Sequence, residues 1–213
     1  MATFEKGILG GFSGKVGTVI GSTWKGIDVM RSKPRKTDRV PSEKQLDQQY
    51  KFALMGQFVQ IVAGFVQVGF KGYQKGQSAY NSAMGYNLKN AIVGTSPDFE
   101  IDFSKTLVSR GDLPPAMNAD ATSAASGMVK FTWDDNQNVG KAKATDQAMV
   151  LIVCPDNLSC IYSTASTSRD NMNATMNASD YAGKDVECWL AFITEDGKEV
   201  SNSVHCGSIK VMA

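Results

Sequence analysis

The segment Phe52–Phe70 contains no charged side chain, and this property constrains the fold more than any other feature of the sequence. Its length would suffice for a membrane-spanning helix. However, four polar or small residues recur there at helical spacing and form one stripe, as in an amphipathic helix. They are Gln57, Gln60, Gly64 and Gln67. We therefore expect a helix whose wide apolar surface is covered by a sheet, a second helix or another subunit, with a membrane-inserted role as the alternative.

Sequence signals also locate the other elements of the first half of the chain. Ser42 and Gln45 form a capping box and predict the start of the first helix. A second helix is predicted over Gln77–Ile92, where apolar side chains recur on one side. Strict alternation over Asp98–Phe103 predicts a strand whose apolar side chains all face one way.

From about residue 105 the pattern changes to short β-type runs separated by turn signals. The predicted strands are 106–109, 127–133, 148–154, 160–163, 172–177, 185–193 and 200–212. This spacing is typical of an immunoglobulin/fibronectin-like antiparallel β-sandwich. Trp133 is a candidate core residue, Tyr181 a candidate corner residue, and Asp196-Gly197 a hairpin turn. The predicted fold class is α+β, with a hairpin and helical region over residues 1–104 and a sandwich over residues 105–213.

The glycine-rich opening of the chain predicts a β-hairpin over residues 15–33, with a turn at Lys25-Gly26. In this interpretation Val16 and Ile20 share one face of the first strand, and the other face is nearly bare. A bare face allows another backbone or a bulky ring, such as that of Trp24, to approach closely. A simple flexible arm is the alternative.

We predict that this hairpin and the uncharged helix together form an interface between subunits, because both offer surface for close packing or strand addition. The predicted assembly interface consists of Gly14, Val16, Gly17, Val19, Gly21, Trp24, Phe58 and Phe65.

A basic segment follows the hairpin. Its cationic residues are Arg31, Lys33, Arg35, Lys36 and Arg39. Such a run either binds a polyanion such as nucleic acid or serves as a solvated linker. No aromatic residue is interleaved to stack on bases, which favours the linker.

The motifs of known enzyme chemistry are not complete in this sequence. The glycine-rich stretch resembles a phosphate loop, but Leu9 occupies the position of the first glycine and Val16 that of the magnesium-binding Ser or Thr. His205 is the single histidine, and its neighbour Cys206 would point to the opposite face of a strand. We therefore expect no enzymatic activity, no catalytic residues, no metal site and no cofactor.

All four cysteines lie in the last third of the chain. Free thiols are expected in a reducing compartment, with cross-strand disulfides Cys154–Cys160 and Cys188–Cys206 as the alternative. The first residues lack the apolar core of a secretion signal. We therefore expect synthesis in the cytoplasm, no membrane span, and a final location that includes a virion or an extracellular assembly.

Three blocks of the sequence resemble a family of uncharacterised proteins of about 210 residues from Bacteroidetes bacteria and their mobile elements. The blocks are Gly10–Gly17 with Trp24–Gly26 and Arg31–Pro34, Tyr86–Ile92 with Ile101–Lys105 and Val108–Gly111, and Ala191-Phe192 with Asp196-Gly197, Val200–Ser203 and Gly207. The resemblance spans nearly the whole chain and implies a domain of unknown function with no catalytic residues to transfer.

Taken together, these features predict a non-enzymatic structural subunit of a larger homo-oligomeric assembly, either a bacteriophage virion component or a surface filament. Two alternatives stay open: a binding module that recognises a glycan or protein through the sandwich loops, and a nucleic-acid accessory protein that uses residues 31–39.

Overall fold

The computed structural model describes residues 3–4, 10–24, 26–34, 40–73 and 76–213. The chain divides into two units, residues 1–42 and residues 43–213. The boundary predicted after residue 104 lies inside the second unit. The physical reason is that the helices before this point share a hydrophobic core with strands of the sandwich.

The first unit is a four-stranded antiparallel sheet in the order β1-β2-β3-β4. Its strands are β1 (Thr3–Phe4), β2 (Phe12–Val16), β3 (Val19–Trp24) and β4 (Ile27–Ser32). A tight turn at Gly17, where φ is +57°, separates β2 from β3. The predicted hairpin is confirmed in β3 and β4, which pair from Trp24 and Ile27 onwards. Its predicted first strand is too long, because the turn at Gly17 divides it into the end of β2 and β3.

The helical part of the second unit contains α1 (Glu43–Ile61), α2 (Ala63–Gly69) and α3 (Ala79–Asn90). The run predicted as one helix bends by 82° between α1 and α2. The hydroxyl of Ser78 caps α3 by accepting a hydrogen bond from the backbone N–H of Asn81 at 3.2 Å. A small hairpin follows, made of β5 (Ile92–Thr95) and β6 (Asp98–Ile101).

Seven antiparallel strands form the sandwich. They are β7 (Met117–Ala125), β8 (Met128–Asp134), β9 (Gln147–Cys154), β10 (Ser159–Ser163), β11 (Asn173–Asn177), β12 (Asp185–Ile193) and β13 (Val204–Lys210). One sheet has the order β11-β8-β7 and the other the order β10-β9-β12-β13. Six predicted strands correspond to observed ones, whereas 106–109 is not a strand and β7 lies in a region where no strand was predicted.

The sandwich sheet β10-β9-β12-β13 is covered on both faces. Alternate residues of β9, such as Val150 and Ile152, belong to the core between the two sheets. The intervening residues, such as Leu151 and Val153, belong to a second core beneath the helices. This arrangement explains why β9 is continuously apolar instead of alternating, since a strand buried on both faces has no solvent side.

Candidate assembly surface

The N-terminal sheet has almost no interior. Among Thr3 and the residues of β2, β3 and β4, only Gly21 is buried, and every residue of β4 is exposed. Neither of the two hydrophobic cores contains a described residue from the first 42. Several large apolar side chains therefore lie open to solvent, among them Trp24 at 62%, Ile27 at 64% and Met30 at 70% exposure. Exposed apolar side chains gathered in one small unit are typical of an interaction surface.

The strand register assigns the residues of this sheet to two faces, because directly paired residues of antiparallel strands share a face. We call one of them the basic face; it consists of Lys15, Ile20, Ser22, Trp24, Ile27, Val29 and Arg31. The opposite face contains Gly14, Val16, Val19, Gly21, Thr23, Asp28 and Met30. Asp28, the acidic residue of the described part of this unit, thus lies away from Lys15 and Arg31, and it accepts a hydrogen bond from Thr23 Oγ1 at 2.8 Å.

The predicted assignment of side chains to faces needs two corrections. Val16 pairs with Val19 across the turn, so Val16 and Ile20 do not share a face. The ring that uses the space above Gly21 belongs to Phe12, because a Cβ on Gly21 would lie 2.7 Å from two atoms of that ring and would also meet the Phe12 carbonyl oxygen. Trp24 therefore does not fill that space and stays exposed at the end of the hairpin β3–β4.

The prediction that Phe58 and Phe65 belong to the assembly interface is wrong, because both side chains are buried within the second unit. The Phe58 ring centroid lies 6.0 Å from that of Trp189 in β12 and 5.9 Å from that of Phe103. Phe65 packs edge-on against Tyr162 in β10, with centroids 6.1 Å apart. The sandwich of the same chain thus provides the cover that the sequence predicts for the apolar helix.

Some of the outer surface of α1 is nevertheless uncovered. An apolar groove of about 360 Å³, which we call the helical groove, lies between α1, β6 and the turn from β9 to β10. Its lining residues are Leu54, Gln57, Phe58, Ile61, Phe99, Glu100, Ile101, Phe103, Val153, Pro155 and Leu158. Leu158 is 61% exposed at one wall. The sequence analysis missed this groove, although the alternation that places Phe99, Ile101 and Phe103 on one side was the signal for it.

Side chains of both charges lie on and beside β6, at one wall of the helical groove. Asp98 and Glu100 are exposed on β6. Asp102 is bonded to Lys105 at 2.7 Å and to the Ser104 hydroxyl, and these hydrogen bonds lower the pKa of Asp102 to about 2. A cation, Lys51, lies 4.7 Å above the Phe99 ring. The groove therefore combines an apolar lining with one carboxylate, that of Glu100.

A second cavity, of about 590 Å³, lies where the loop before β9 meets the loop after β12. Its charges are largely paired with one another: Lys141 lies 2.9 Å from Glu199, and Lys198 lies 3.0 Å from Asp196. Asp146 lines its base and forms a buried ion pair with Arg169. Recognition of a ligand by these sandwich loops stays a prediction.

The cysteines are free thiols. Cys154 belongs to the core between the sheets, whereas Cys160 packs against the core under the helices. A Cys154–Cys160 disulfide is therefore wrong, because the two side chains leave opposite faces of the sheet. Cys188 and Cys206 share one core on neighbouring strands, and burial raises the pKa of Cys206 to about 12.

His205 is partly buried rather than exposed, and its Nε2 lies 2.7 Å from Glu187 Oε2. Of the predicted polyanion-binding residues, Arg31 and Lys33 are exposed. Arg35, Lys36 and Arg39, like Lys25 of the predicted turn, lie outside the described residues. The described residues contain no cluster of three or more potential metal ligands.

Among the described helices, none taken singly is long and apolar enough to cross a membrane. The helices α1 and α2 reach the necessary length and apolar composition only when they are taken together, and a bend of 82° lies between them.

Two packed antiparallel sheets, with Trp133 buried between them, define a β-sandwich of the immunoglobulin/fibronectin-like class that carries a helical layer. The chain belongs to a family of unknown function, DUF6266, whose model matches residues 11–207. Among solved structures it is similar to the fn3 domain of human collagen alpha-1(XX) chain, with 11% identity and a TM-score of 0.35 over 47% of this chain and 86% of that one. No curated protein gives a significant match.

Proposed function

We propose that this protein is a non-enzymatic structural subunit of a homo-oligomeric assembly and that its N-terminal sheet is the joint between subunits. One observation carries the proposal: the sheet exposes Trp24, Ile27 and Met30 and contributes no residue to either core among its described residues. A unit of this size buries too little apolar surface to be stable alone. Burial against another chain would provide the missing core.

The rest of the chain has the properties of a self-sufficient building block. Both hydrophobic cores lie within residues 43–213. A stable unit combined with a sheet that exposes apolar side chains suits a subunit of a ring or a filament. The two forms that we propose are a bacteriophage virion component and a surface filament. Removal of the sheet should therefore abolish assembly without affecting the fold of the body.

The test compares the full chain with residues 43–213 by sedimentation velocity and negative-stain microscopy. We expect rings or filaments for the full chain, and a monomer with unchanged sandwich unfolding for the shorter one. If both behave as monomers at high concentration, the proposal is wrong. If both assemble, the joint lies in the body.

A polyanion-binding role is the second candidate, and the charge distribution favours it. Residues 1–42 contain eight Lys or Arg and three Asp or Glu, a net charge of +5, whereas the whole chain has +1. Binding to nucleic acid should then weaken steeply as salt increases. Absence of binding to single- or double-stranded DNA at low salt would exclude this role.

A further inference from the structure

We infer that the helical groove of one subunit receives the tip of the β3–β4 hairpin of a second copy of this chain, with Trp24 as the anchor. This inference rests on the proposed function and identifies the partner surface of the joint. It makes the contact heterologous, which means that two different surfaces of the same chain meet.

The apolar parts of the two surfaces match in kind and size. Trp24 and Ile27 are directly paired across β3 and β4 at the end of the hairpin, and both are more than 60% exposed. The groove offers about 360 Å³ lined by Leu54, Phe99 and other apolar side chains. This volume is in the range of pockets that enclose small ligands, and an aromatic side chain inserted there would bury about 150–250 Å².

The two units of the chain carry net charges of opposite sign. Residues 1–42 have a net charge of +5, whereas residues 43–213 contain 14 Lys or Arg and 18 Asp or Glu, a net charge of −4. On the basic face, Lys15 and Arg31 both flank Ile20, four residues along the strands from Trp24 and Ile27. The groove lining contains one carboxylate, that of Glu100, and Lys51 lies 4.7 Å from the centroid of the Phe99 ring. Opposite net charges accelerate the encounter of partners.

A heterologous contact has a geometric consequence. Each subunit uses its hairpin on one neighbour and its groove on another, so the contact generates a ring if the rotation closes and an open filament if it does not. Direct pairing of two N-terminal sheets with each other would instead stop at a symmetric dimer. The assembly type therefore depends on whether hairpin meets groove or hairpin meets hairpin.

Two variants of the full chain separate these possibilities. Trp24→Ala removes the anchor and keeps the groove. Gln57→Lys keeps the hairpin and places a cation in the groove, on an exposed helical position where lysine has a similar helix propensity. Val40→Ala, which removes an exposed apolar side chain outside the sheet, and Gln60→Lys, on α1 but outside the groove lining, are the matched controls.

The measurement is the molar mass of each variant and of an equimolar mixture of the two, followed across concentration by sedimentation velocity. We expect each variant alone to associate at least about 30-fold more weakly than the unmodified chain, as for loss of an interface hot spot. The two controls should assemble normally. The mixture should form a 1:1 dimer and grow no further, because the hairpin of the Gln57→Lys chain enters the intact groove of the Trp24→Ala chain.

Each other result contradicts the inference in a recognisable way. If Gln57→Lys assembles like the unmodified chain while Trp24→Ala does not, the hairpin is a joint but the groove is not its receptor. If the mixture forms no dimer, the two surfaces do not meet. If the unmodified chain stays a monomer, or associates only when nucleic acid is added, the proposed function fails together with the inference. Equal unfolding temperatures of all variants exclude misfolding as the cause.

Discussion

Removal of Asp146 tests the account of the sandwich, because this residue neutralises a fully buried arginine. Arg169 Nε lies 3.2 Å from Asp146 Oδ2, and the two side chains are 0% and 1% exposed. Arg169 also donates hydrogen bonds to Asn136 Oδ1 at 2.7 Å and to the Pro114 carbonyl at 3.1 Å. Its guanidinium lies 3.7 Å from the Phe192 ring centroid. Burial lowers the pKa of Arg169, and the charge of Asp146 opposes this effect.

The expected size of the effect follows from this burial. Asp146→Ala leaves a buried cation without its counter-ion, and loss of one partner of such a pair costs about 3–5 kcal/mol. For a body of this length, 1 kcal/mol lowers the unfolding temperature by about 2–4 °C, so we expect a decrease of about 6–20 °C. In the double variant with Arg169→Met, the loss should be smaller than the sum of the single losses by about 1–3 kcal/mol.

Urea unfolding followed by circular dichroism measures these free energies directly. Lys141→Ala is the control, because its ion pair with Glu199 is exposed and screened by solvent and should contribute little to stability. The reasoning that Asp146 and Arg169 form a buried pair in which each needs the other would be refuted by either of two results. One is a decrease in the free energy of unfolding below about 1 kcal/mol for Asp146→Ala. The other is additive effects of the two substitutions in the double variant.

Three further predictions concern stability and thiol chemistry. Gly111→Ala should destabilise by about 1–3 kcal/mol, because the added Cβ would lie 2.7 Å from the Val200 carbonyl carbon, whereas Gly85→Ala in α3 should stabilise by about 0.5–1 kcal/mol in the same urea assay. The pKa of Asp102 in the folded protein is about 2, below its usual 3.8, so its contribution should be constant above about pH 4 and lost as pH falls towards 2. Asp102→Asn should remove that part of the pH dependence of the urea midpoint, and an unchanged profile would contradict it. Without reductant, a thiol reagent should count four thiols in denaturant but label the native protein slowly, and fewer than four in denaturant would indicate a disulfide.

The sandwich strands were the most predictable part of the fold. Strands β9 and β12 are long apolar runs with β-branched and aromatic residues, and the turn residues that bound them lie outside these runs. The hairpin turn at Asp196-Gly197 is confirmed, with φ of +67° at Gly197 and a hydrogen bond from its N–H to the Thr194 carbonyl at 2.8 Å. Trp133 is buried in the core as predicted.

Other elements could not be predicted from local sequence. Strand β7 consists mainly of small and polar residues with little intrinsic strand preference, and its pairing with β8 determines it. Residues 106–109 look like a strand, but side chains from distant parts of the chain bind their backbone. Asn87 Oδ1 accepts the Leu107 N–H at 2.9 Å, and Ser203 Oγ accepts that of Val108 at 3.0 Å.

The candidate site was predictable in part. The glycine-rich opening predicted β-structure, which the structure contains, and Trp24 is 62% exposed, whereas its place in an assembly interface stays a prediction. The turn at Gly17 reversed the assignment of faces, since a tight turn inside a presumed strand changes which residues are neighbours. The cover of Phe58 and Phe65 by the sandwich depends on tertiary packing, which a helical pattern alone does not specify.

Acrylamide quenching of tryptophan fluorescence at increasing protein concentration tests the central claim most directly. Trp133 and Trp189 are 4% and 0% exposed, so quenching reports mainly on Trp24 at 62%. If the N-terminal sheet is the joint between subunits, quenching should decrease as the molar mass increases above the 22.9 kDa of one chain. If Trp24 is quenched equally at all concentrations, the sheet is not covered by another subunit and the claim is contradicted.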